Sequence, residues 1–367
     1  MHTVTSPATN ITGIHNFNAG PSILPKEVFE QASEAILNFN NTGLSILELG
    51  HRTSLFLEVM EEARELVKEV MHLDNDHEVL FLHGGASTQF MQVPMNLLNE
   101  NETAAYAETG IWADKAIKEA ELFGNVNIVC SSREANFTYI PKDFAVPNDA
   151  KYFHITTNNT IHGTQWQKIP SVSVPFVADM SSDILSREID FNSFNLIYAG
   201  AQKNIGAAGV NLVVVNKNIL GTVNRAIPTI MDYRNHIKEG SILNTPPVFA
   251  VYVCLLTLRW LKEQGGVGAI EKLNNEKAAL LYNEIDANPM FTGNVAKEDR
   301  SKMNVCFVIK NKELEEEFLA FTKKQGIIGI KGHRSAGGFR ASLYNALPLE
   351  SVKVLVDIIK DFALRYN

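Results

Sequence analysis

Short apolar runs alternate with helical patterns through the first two-thirds of the 367-residue chain, and this alternation constrains the fold more than any other feature. The runs EVLFLH, SVPFVAD and FNLIYAG each end in a turn or in polar residues. The segment SLFLEVMEEARELVKEVM instead repeats apolar residues three and four positions apart, which is helical spacing. Strands that alternate with helices predict an α/β fold with a mainly parallel central sheet. In such a fold, functional side chains lie where the strands end.

The pattern changes towards the C-terminus, after a long apolar helix predicted near residues 247–264. The segments that follow are KMNVCFVIK, EEEFLAFTKKQG, IIGIKGHR, FRASLYNAL and LESVKVLVDIIKDFALRYN. They predict a strand, a helix, two strands and a helix, which together form a small α+β unit. We therefore predict a large domain over residues 25–268 and a small domain over residues 269–367, which the N-terminal segment 1–24 joins.

The composition of the chain disfavours some classes of binding partner and indicates a cellular compartment. A formal net charge of -8 gives nucleic acid and anionic membranes no overall electrostatic attraction. The longest apolar stretch, VFAVYVCLLTLRWL, is interrupted by Arg259 and is shorter than the roughly 20 residues of a membrane helix, which predicts a core helix. The N-terminus has no signal-peptide pattern, and the three cysteines are far apart, as reduced thiols often are. We expect a cytoplasmic protein without nucleic-acid partners, membrane partners or a metal site.

A glycine turn, LHGGAST, lies between a predicted strand and a predicted helix. Gly84, Gly85, Ala86 and Ser87 would present free backbone amides at the start of that helix, which is a common phosphate site. The turn matches neither GxGxxG nor GxxxxGK(S/T). Taken alone, it is therefore better interpreted as an ordinary connection between a strand and a helix.

Two charged residues follow later strands. Asp179 ends SVPFVAD, where it could cap the following turn or pair with the cation of a ligand. Lys203 lies in YAGAQKNIGAAG, where small neighbours leave room, although a lone lysine there would be interpreted as a solvated turn residue. A glycine turn, an acid and a lysine in this order, each after a strand, together predict a pyridoxal phosphate site.

The chain resembles a known family in eight segments: FNAGPSILP, GHRTSLF, FLHGGASTQF, TGIWADKA, ADMSSDILSREID, YAGAQKNIGAAG, LNTPPVFAVY and GHRSAGGFRASLYNALPLESV. They resemble the phosphoserine aminotransferase family, in the class V aminotransferase group of fold-type-I pyridoxal phosphate enzymes. The resemblance runs from about Phe17 to the C-terminus. The lysine segment is shared across the wider group, whereas GHRTS and GHRSAGGFRAS point to this family in particular.

The resemblance implies a role for each residue around the cofactor. Lys203 would form the Schiff base and then move the substrate proton, while Asp179 would keep the pyridine nitrogen protonated. Trp112 would stack on the ring, and Thr160 would hydrogen-bond the phenolic oxygen. The residues implied around the phosphate are Ala86, Ser87, Gln202 and, from the second copy of a homodimer with shared sites, Asn244 and Thr245.

The residues predicted to bind the substrate follow from its charge as well as from the resemblance. A phosphorylated amino acid has two anionic ends, so a selective site needs two separate cationic groups. Arg340 would bind the α-carboxylate. Two His-Arg pairs in distant segments would bind the second anion if they converge, although each pair could also be part of an ordinary surface loop. These pairs are His51 with Arg52 and His333 with Arg334.

The implied activity is reversible transamination between O-phospho-L-serine and 2-oxoglutarate, which gives 3-phosphohydroxypyruvate and L-glutamate in serine biosynthesis. The resemblance implies 4-phosphohydroxythreonine, on bacterial routes to vitamin B6, as a further substrate. A cysteine desulfurase would need an exposed thiol on a mobile loop, and none of Cys130, Cys254 and Cys306 fits. A glyoxylate aminotransferase would leave the His-Arg pairs without a second anion. A non-catalytic binder would not need the complete set of site residues.

Overall fold

The computed structural model describes residues 13–366, so the first twelve residues of the N-terminal segment lie outside the described part. The helices are α1 Lys26–Asn38, α2 Ser54–Met71, α3 Ala86–Leu97, α4 Ile111–Ala120, α5 Tyr233–Lys238, α6 Val248–Glu263, α7 Gly266–Ala287, α8 Glu315–Lys324 and α9 Leu349–Tyr366. The strands are β1 His15–Asn16, β2 His77–His83, β3 Thr103–Glu108, β4 Asn125–Ser131, β5 Phe153–Thr156, β6 Phe176–Asp179, β7 Leu196–Gly200, β8 Val210–Asn216, β9 Phe291–Gly293, β10 Asn304–Ile309, β11 Ile327–Ile328 and β12 Phe339–Ser342.

A seven-stranded sheet forms the centre of the molecule, in the order β2-β8-β7-β6-β5-β3-β4. Its pairs are parallel except where β8 runs antiparallel to β2 and β7. Every residue of β5, β6 and β7 is buried, as expected for central strands with both faces covered. The predicted α/β fold with a mainly parallel sheet is confirmed.

The helices around the sheet follow the apolar pattern of the sequence. In α2, the buried residues recur at three- and four-residue intervals, from Phe56 and Val59 to Val67 and Met71. The apolar helix α6 packs against α1 and α2 and is buried over most of its length. Between residues 13 and 366, none of the helices is both long and apolar enough to span a bilayer.

A second, smaller sheet lies towards the C-terminus, with the antiparallel order β12-β10-β9. It has its own apolar cluster, built around Phe291, Phe307, Phe318, Phe339 and Phe362. The N-terminal strand β1 pairs in parallel with β11, which ties the start of the described chain to this part. The helix α7 spans the predicted boundary at residue 268, so the division into domains stays a prediction.

Candidate active site

A cavity of about 340 Å³ lies at one edge of the large sheet. Because β2 and β7 both run antiparallel to β8, the carboxyl ends of β2, β3, β5, β6 and β7 all meet at this edge. Nine of the residues singled out in the sequence line the cavity: Ala86, Ser87, Trp112, Thr160, Asp179, Gln202, Lys203, His333 and Arg340. Residues separated by up to 254 positions in the sequence therefore form one site.

Lys203 follows β7 by three residues and extends its side chain into the cavity. Its Nζ donates a hydrogen bond to Thr160 Oγ1 at 2.9 Å. Burial lowers the pKa of Lys203 to about 8, and the positive charge of Arg340 acts in the same direction. A larger share of this lysine is therefore neutral and nucleophilic near neutral pH than for a solvated lysine.

Asp179 is the last residue of β6 and is 4% exposed. Its Oδ1 accepts a hydrogen bond from the Ser181 backbone N–H at 2.9 Å, so the local capping interaction is present as well. Burial raises the pKa of Asp179, while the hydrogen bonds from Ser181 and the charge of Lys203 oppose that shift. A buried carboxylate that faces a cavity is stabilised by a ligand cation, and the protonated ring nitrogen of pyridoxal phosphate is such a cation.

The glycine turn lines the cavity through Gly85. Gly84 has φ +95°, and a Cβ there would lie 2.2 Å from Thr88 Oγ1, so the turn requires glycine. The helix α3 begins at Ala86, and no side chain in the described range caps the helix at Gly85. The first backbone N–H groups of α3 are therefore free to bind an anion, such as the phosphate of the cofactor.

Trp112 completes the wall of the cavity at the start of α4. Its ring centroid lies 6.4 Å from that of Phe90, and Lys115 Nζ lies 4.4 Å from its centroid. This side chain offers a planar surface to the cavity. The buried acid, the lysine, the flat aromatic wall and the free helix amides together fit pyridoxal phosphate.

The small C-terminal part contributes a positively charged mouth. Arg340, on β12, donates from Nη1 to the Thr160 carbonyl at 3.4 Å, next to the lysine. Burial lowers the pKa of His333, and the charges of Arg340, Arg334 and Lys115 lower it further. These cations lie close together in a chain of formal net charge -8, so the mouth is suited to an anionic substrate.

Five residues singled out in the sequence do not line this cavity within one chain. Arg334 is exposed on the loop that carries His333. His51 and Arg52 lie just before α2, where His51 Nε2 is buried and has no hydrogen-bond partner among the described residues. The other two are Asn244 and Thr245, and the Thr245 carbonyl lies 2.5 Å from His83 Nε2.

The N-terminal segment supplies site residues that the strand-end argument missed. Ala19 and Gly20 line the cavity, and a Cβ on Gly20 would lie 3.3 Å from Lys203 Cγ. Ser22 Oγ donates to the Lys203 carbonyl at 2.5 Å. The segment FNAGPSILP was noted only for its resemblance. Its run of small residues before Ser22 was the signal that could have indicated a close approach to the lysine.

The three thiols do not suit nucleophilic chemistry. Burial raises the pKa of Cys130, Cys254 and Cys306 to about 12 each. Cys306 lies in β10, and Cys254 lies in α6. A thiol with a raised pKa carries little thiolate at neutral pH, which argues against a cysteine desulfurase.

Comparisons with known proteins agree with this site. The sequence model of the aminotransferase class-V family matches residues 14–355. The chain belongs to the class-V aminotransferase family. A phosphoserine aminotransferase of Flavobacterium johnsoniae is 60% identical over 347 residues, which cover 94% of this chain and 98% of that protein. The resemblance noted in the sequence is confirmed.

Solved structures of family members are similar over nearly the whole chain. The phosphoserine aminotransferase of Bacillus circulans subsp. alkalophilus has a TM-score of 0.94 and 42% identity, covering 96% of this chain and 99% of that one. The pyridoxal-phosphate-bound phosphoserine aminotransferase of Trichomonas vaginalis has a TM-score of 0.89 and 37% identity, with 95% and 99% covered. This similarity confirms the fold expected of a fold-type-I pyridoxal phosphate enzyme.

Proposed function

We propose that this protein is a pyridoxal phosphate enzyme that catalyses reversible amino transfer between O-phospho-L-serine and 2-oxoglutarate, giving 3-phosphohydroxypyruvate and L-glutamate. The observation that carries the proposal is the cavity in which Lys203, Asp179 and Arg340 meet at the carboxyl ends of the strands. The family membership and the named relatives support the same reaction, which belongs to serine biosynthesis. 4-Phosphohydroxythreonine is a further proposed substrate, since it has the same two anionic ends.

Within this proposal, Lys203 and Asp179 perform the chemistry. The cofactor, when bound, supplies an electron sink for the Cα–H bond electrons of the amino acid. Lys203 Nζ would take the proton from that Cα and deliver it to C4′ of the cofactor, and the reverse reaction would move the proton back. The lowered pKa of Lys203 favours this role. Asp179, which is buried, would hold the protonated ring nitrogen of the cofactor through an ion pair.

The remaining residues would orient the cofactor and the substrate. The N–H groups of Ala86 and Ser87 would hold the phosphate, together with Gln202. Trp112 would cover one face of the ring, and Thr160 would donate to its phenolic oxygen. Arg340 would bind the α-carboxylate through its two-pronged guanidinium, so that both substrates use the same group.

A homodimer would complete the site. Five large apolar side chains are more than 40% exposed on α1, on α2 and between them: Phe29, Leu37, Leu44, Leu47 and Leu57. A cluster of exposed apolar side chains is typical of a subunit interface. We propose that a second copy covers it and brings Asn244 and Thr245 to the phosphate and a His-Arg pair to the substrate.

We also propose the domain division and the compartment that the sequence predicts. The buried apolar residues form two clusters on the large sheet and a separate one around β10. This separation supports a large domain over 25–268 and a small one over 269–367 joined by 1–24. Three unpaired thiols at Cys130, Cys254 and Cys306 fit a reducing compartment such as the cytoplasm.

The test of the activity is a half-reaction on the purified holoenzyme, without the second substrate. Phosphoserine, glutamate and serine are added separately, and the visible absorbance of the bound cofactor is followed by rapid mixing. We expect fast loss of the starting band with phosphoserine and glutamate and slow loss with serine. Equal rates for serine and phosphoserine would support amino transfer but contradict the proposed specificity for a phosphorylated substrate. A band that none of the three amino acids changes would overturn the proposed activity.

A further inference from the structure

Lys277, on α7, is a buried cation that the proposed chemistry does not use. It is 0% exposed. Its Nζ donates to three main-chain carbonyls: Leu343 at 3.0 Å, Tyr344 at 2.8 Å and Leu347 at 3.2 Å. An ammonium group has three N–H donors, so these three oxygens saturate it. All three partners are carbonyl groups, whereas a buried lysine is usually paired with a carboxylate.

The carbonyls belong to a tight turn over residues 343–347. In this turn the Leu347 N–H also donates to the Tyr344 carbonyl at 2.9 Å. Three carbonyl oxygens that point at one spot repel each other unless a cation lies between them. Burial lowers the pKa of Lys277 to about 7, while the negative ends of the carbonyl dipoles favour the ammonium form. The Lys277 ammonium therefore contacts these carbonyls in the way that a small bound cation would.

The turn also contacts the catalytic lysine segment. The Asn345 N–H donates to Asn204 Oδ1 at 3.1 Å, and Asn204 directly follows Lys203. Asn345 Nδ2 donates to the Leu185 carbonyl at 2.9 Å, in the loop that follows β6 and Asp179. The Asn345 side chain is itself held from α7, because Asn274 Nδ2 donates to its Oδ1 at 2.9 Å.

The same turn contacts two further parts of the cavity wall. The Tyr344 hydroxyl donates to the Ala19 carbonyl at 2.9 Å, and Ala19 lines the cavity. The turn starts one residue after β12, the strand that carries Arg340. The lysine segment, the N-terminal segment and the arginine strand therefore meet at the turn that Lys277 holds.

We propose that Lys277 is a positioning residue for the amino transfer: its ammonium organises the 343–347 turn as a bound cation would, and so sets the distance between Arg340 and Lys203. The inference rests on the proposed function, because it assigns the α-carboxylate to Arg340. A misplacement of a binding group by about 1 Å is enough to reduce kcat/KM by about 100-fold. The ammonium acts only through the turn, since it touches neither substrate nor cofactor.

The first test compares holoenzymes carrying Lys277→Met and Lys272→Met by amide hydrogen exchange without substrate. Lys272 lies on the same helix and is exposed, which makes it a matched control. We expect Lys277→Met to speed exchange in peptides that contain residues 343–347, 17–22 and 203–205, and to leave α2 unchanged. Exchange equal to that of the control in these peptides would overturn the proposal, and so would uniformly faster exchange over the whole chain.

The second test is kinetic. Lys277→Met should raise the KM for glutamate and phosphoserine by about 10- to 100-fold while kcat falls less, because binding at Arg340 is displaced more than the proton transfer. In Lys277→Ala, methylammonium should restore part of the lost kcat/KM, and tetramethylammonium at equal ionic strength should not. Unchanged KM values, or equal effects of the two amines after correction for their effects on wild type, would contradict the proposal.

A further variant keeps the proposal testable if loss of Lys277 prevents folding. Asn345→Ala keeps the ammonium and removes the side-chain bonds from the turn to Leu185 and Asn274. Asn345→Ala should raise the KM values for glutamate and phosphoserine, but by a smaller factor than Lys277→Met does. An unchanged KM would contradict the proposed link between the turn and Arg340. Wild-type turnover is measured first. If it were absent, the proposed function would fail, while hydrogen exchange would still decide whether Lys277 holds the turn.

Discussion

The two ends of the cavity are built in different ways. At the inner end, Asp179, Lys203 and Thr160 follow adjacent strands of the parallel sheet and meet within one chain. At the outer end, the cations come from the small C-terminal part: Arg340 lies on β12 and lines the cavity, while Arg334 is exposed on a loop. The inner end would bind the cofactor, and the outer end would bind and select the substrate.

The difference follows from how each end is held. Residues at strand ends are fixed by the backbone hydrogen bonds of the sheet, so the acid and the lysine are in place before any ligand arrives. Loop residues lack these hydrogen bonds, so their positions depend on a ligand or on a second subunit. We therefore expect substitutions at the inner end to remove catalysis, and substitution of the loop residue Arg334 at the outer end to change which substrate is used.

The strongest test of the inner end is Lys203→Ala. Because the covalent and proton-transfer roles are lost together, turnover should fall by about 10⁴-fold or more, while some cofactor stays bound non-covalently. Steady-state kinetics and the cofactor content of the purified protein measure the two effects. The exposed Lys168 provides a control, and Lys168→Ala should behave as wild type. Near-normal turnover in Lys203→Ala would show that this lysine is not catalytic.

The outer end is tested by comparing two arginines. Arg340→Leu should weaken the binding of phosphoserine, serine and glutamate to the same extent, because all three have an α-carboxylate. Arg334→Leu should instead lower kcat/KM for phosphoserine more than for serine, by about 10- to 1,000-fold, as expected for loss of a charged hydrogen bond. Substrate series on each variant measure the ratio. Equal losses for the phosphorylated and plain amino acids in Arg334→Leu would end the proposed division between the two arginines.

Subunit sharing can be tested by mixing two impaired variants, Lys203→Ala and Arg52→Ala. If Arg52 serves the site of the partner, a mixed dimer contains one site with both residues intact. Random pairing then restores about a quarter of wild-type activity, because half of the dimers are mixed and one site in each is complete. No recovery after dissociation and reassociation would place Arg52 in the site of its own subunit. Wild-type activity of Arg52→Ala alone would place Arg52 outside any site. Wild-type enzyme taken through the same treatment is the control.

The smallest effect concerns pH. Burial lowers the pKa of Lys203 to about 8, so its neutral form grows as pH rises to that value and then levels off. Capture of pyridoxal phosphate by the cofactor-free protein should therefore speed up about tenfold per pH unit below 8 and become constant above it. Stopped-flow absorbance measures the rate. A rate that keeps rising towards pH 10.5 would indicate a solvated lysine instead.

Much of the fold was predictable because its signals are local. The pattern in SLFLEVMEEARELVKEVM predicted a helix, and α2 spans Ser54–Met71. The order of elements in the small C-terminal part was also predicted, from KMNVCFVIK to the last helix. The strand β11, in the predicted segment IIGIKGHR, is confirmed but is only two residues long. The strands β1 and β9 were missed, since two or three residues are too few to show a period.

The sequence by itself determined the α/β class and, through its motifs, the family, and it predicted the cofactor residues at the strand ends. Apolar periodicity and turn chemistry act between near neighbours and can be recognised in a single chain. Only the tertiary structure decided the lowered pKa of Lys203 and the three carbonyl contacts of Lys277. Desolvation and carbonyl contacts depend on residues that are distant in sequence, as Leu343 is from Lys277. A local sequence pattern therefore does not predict them.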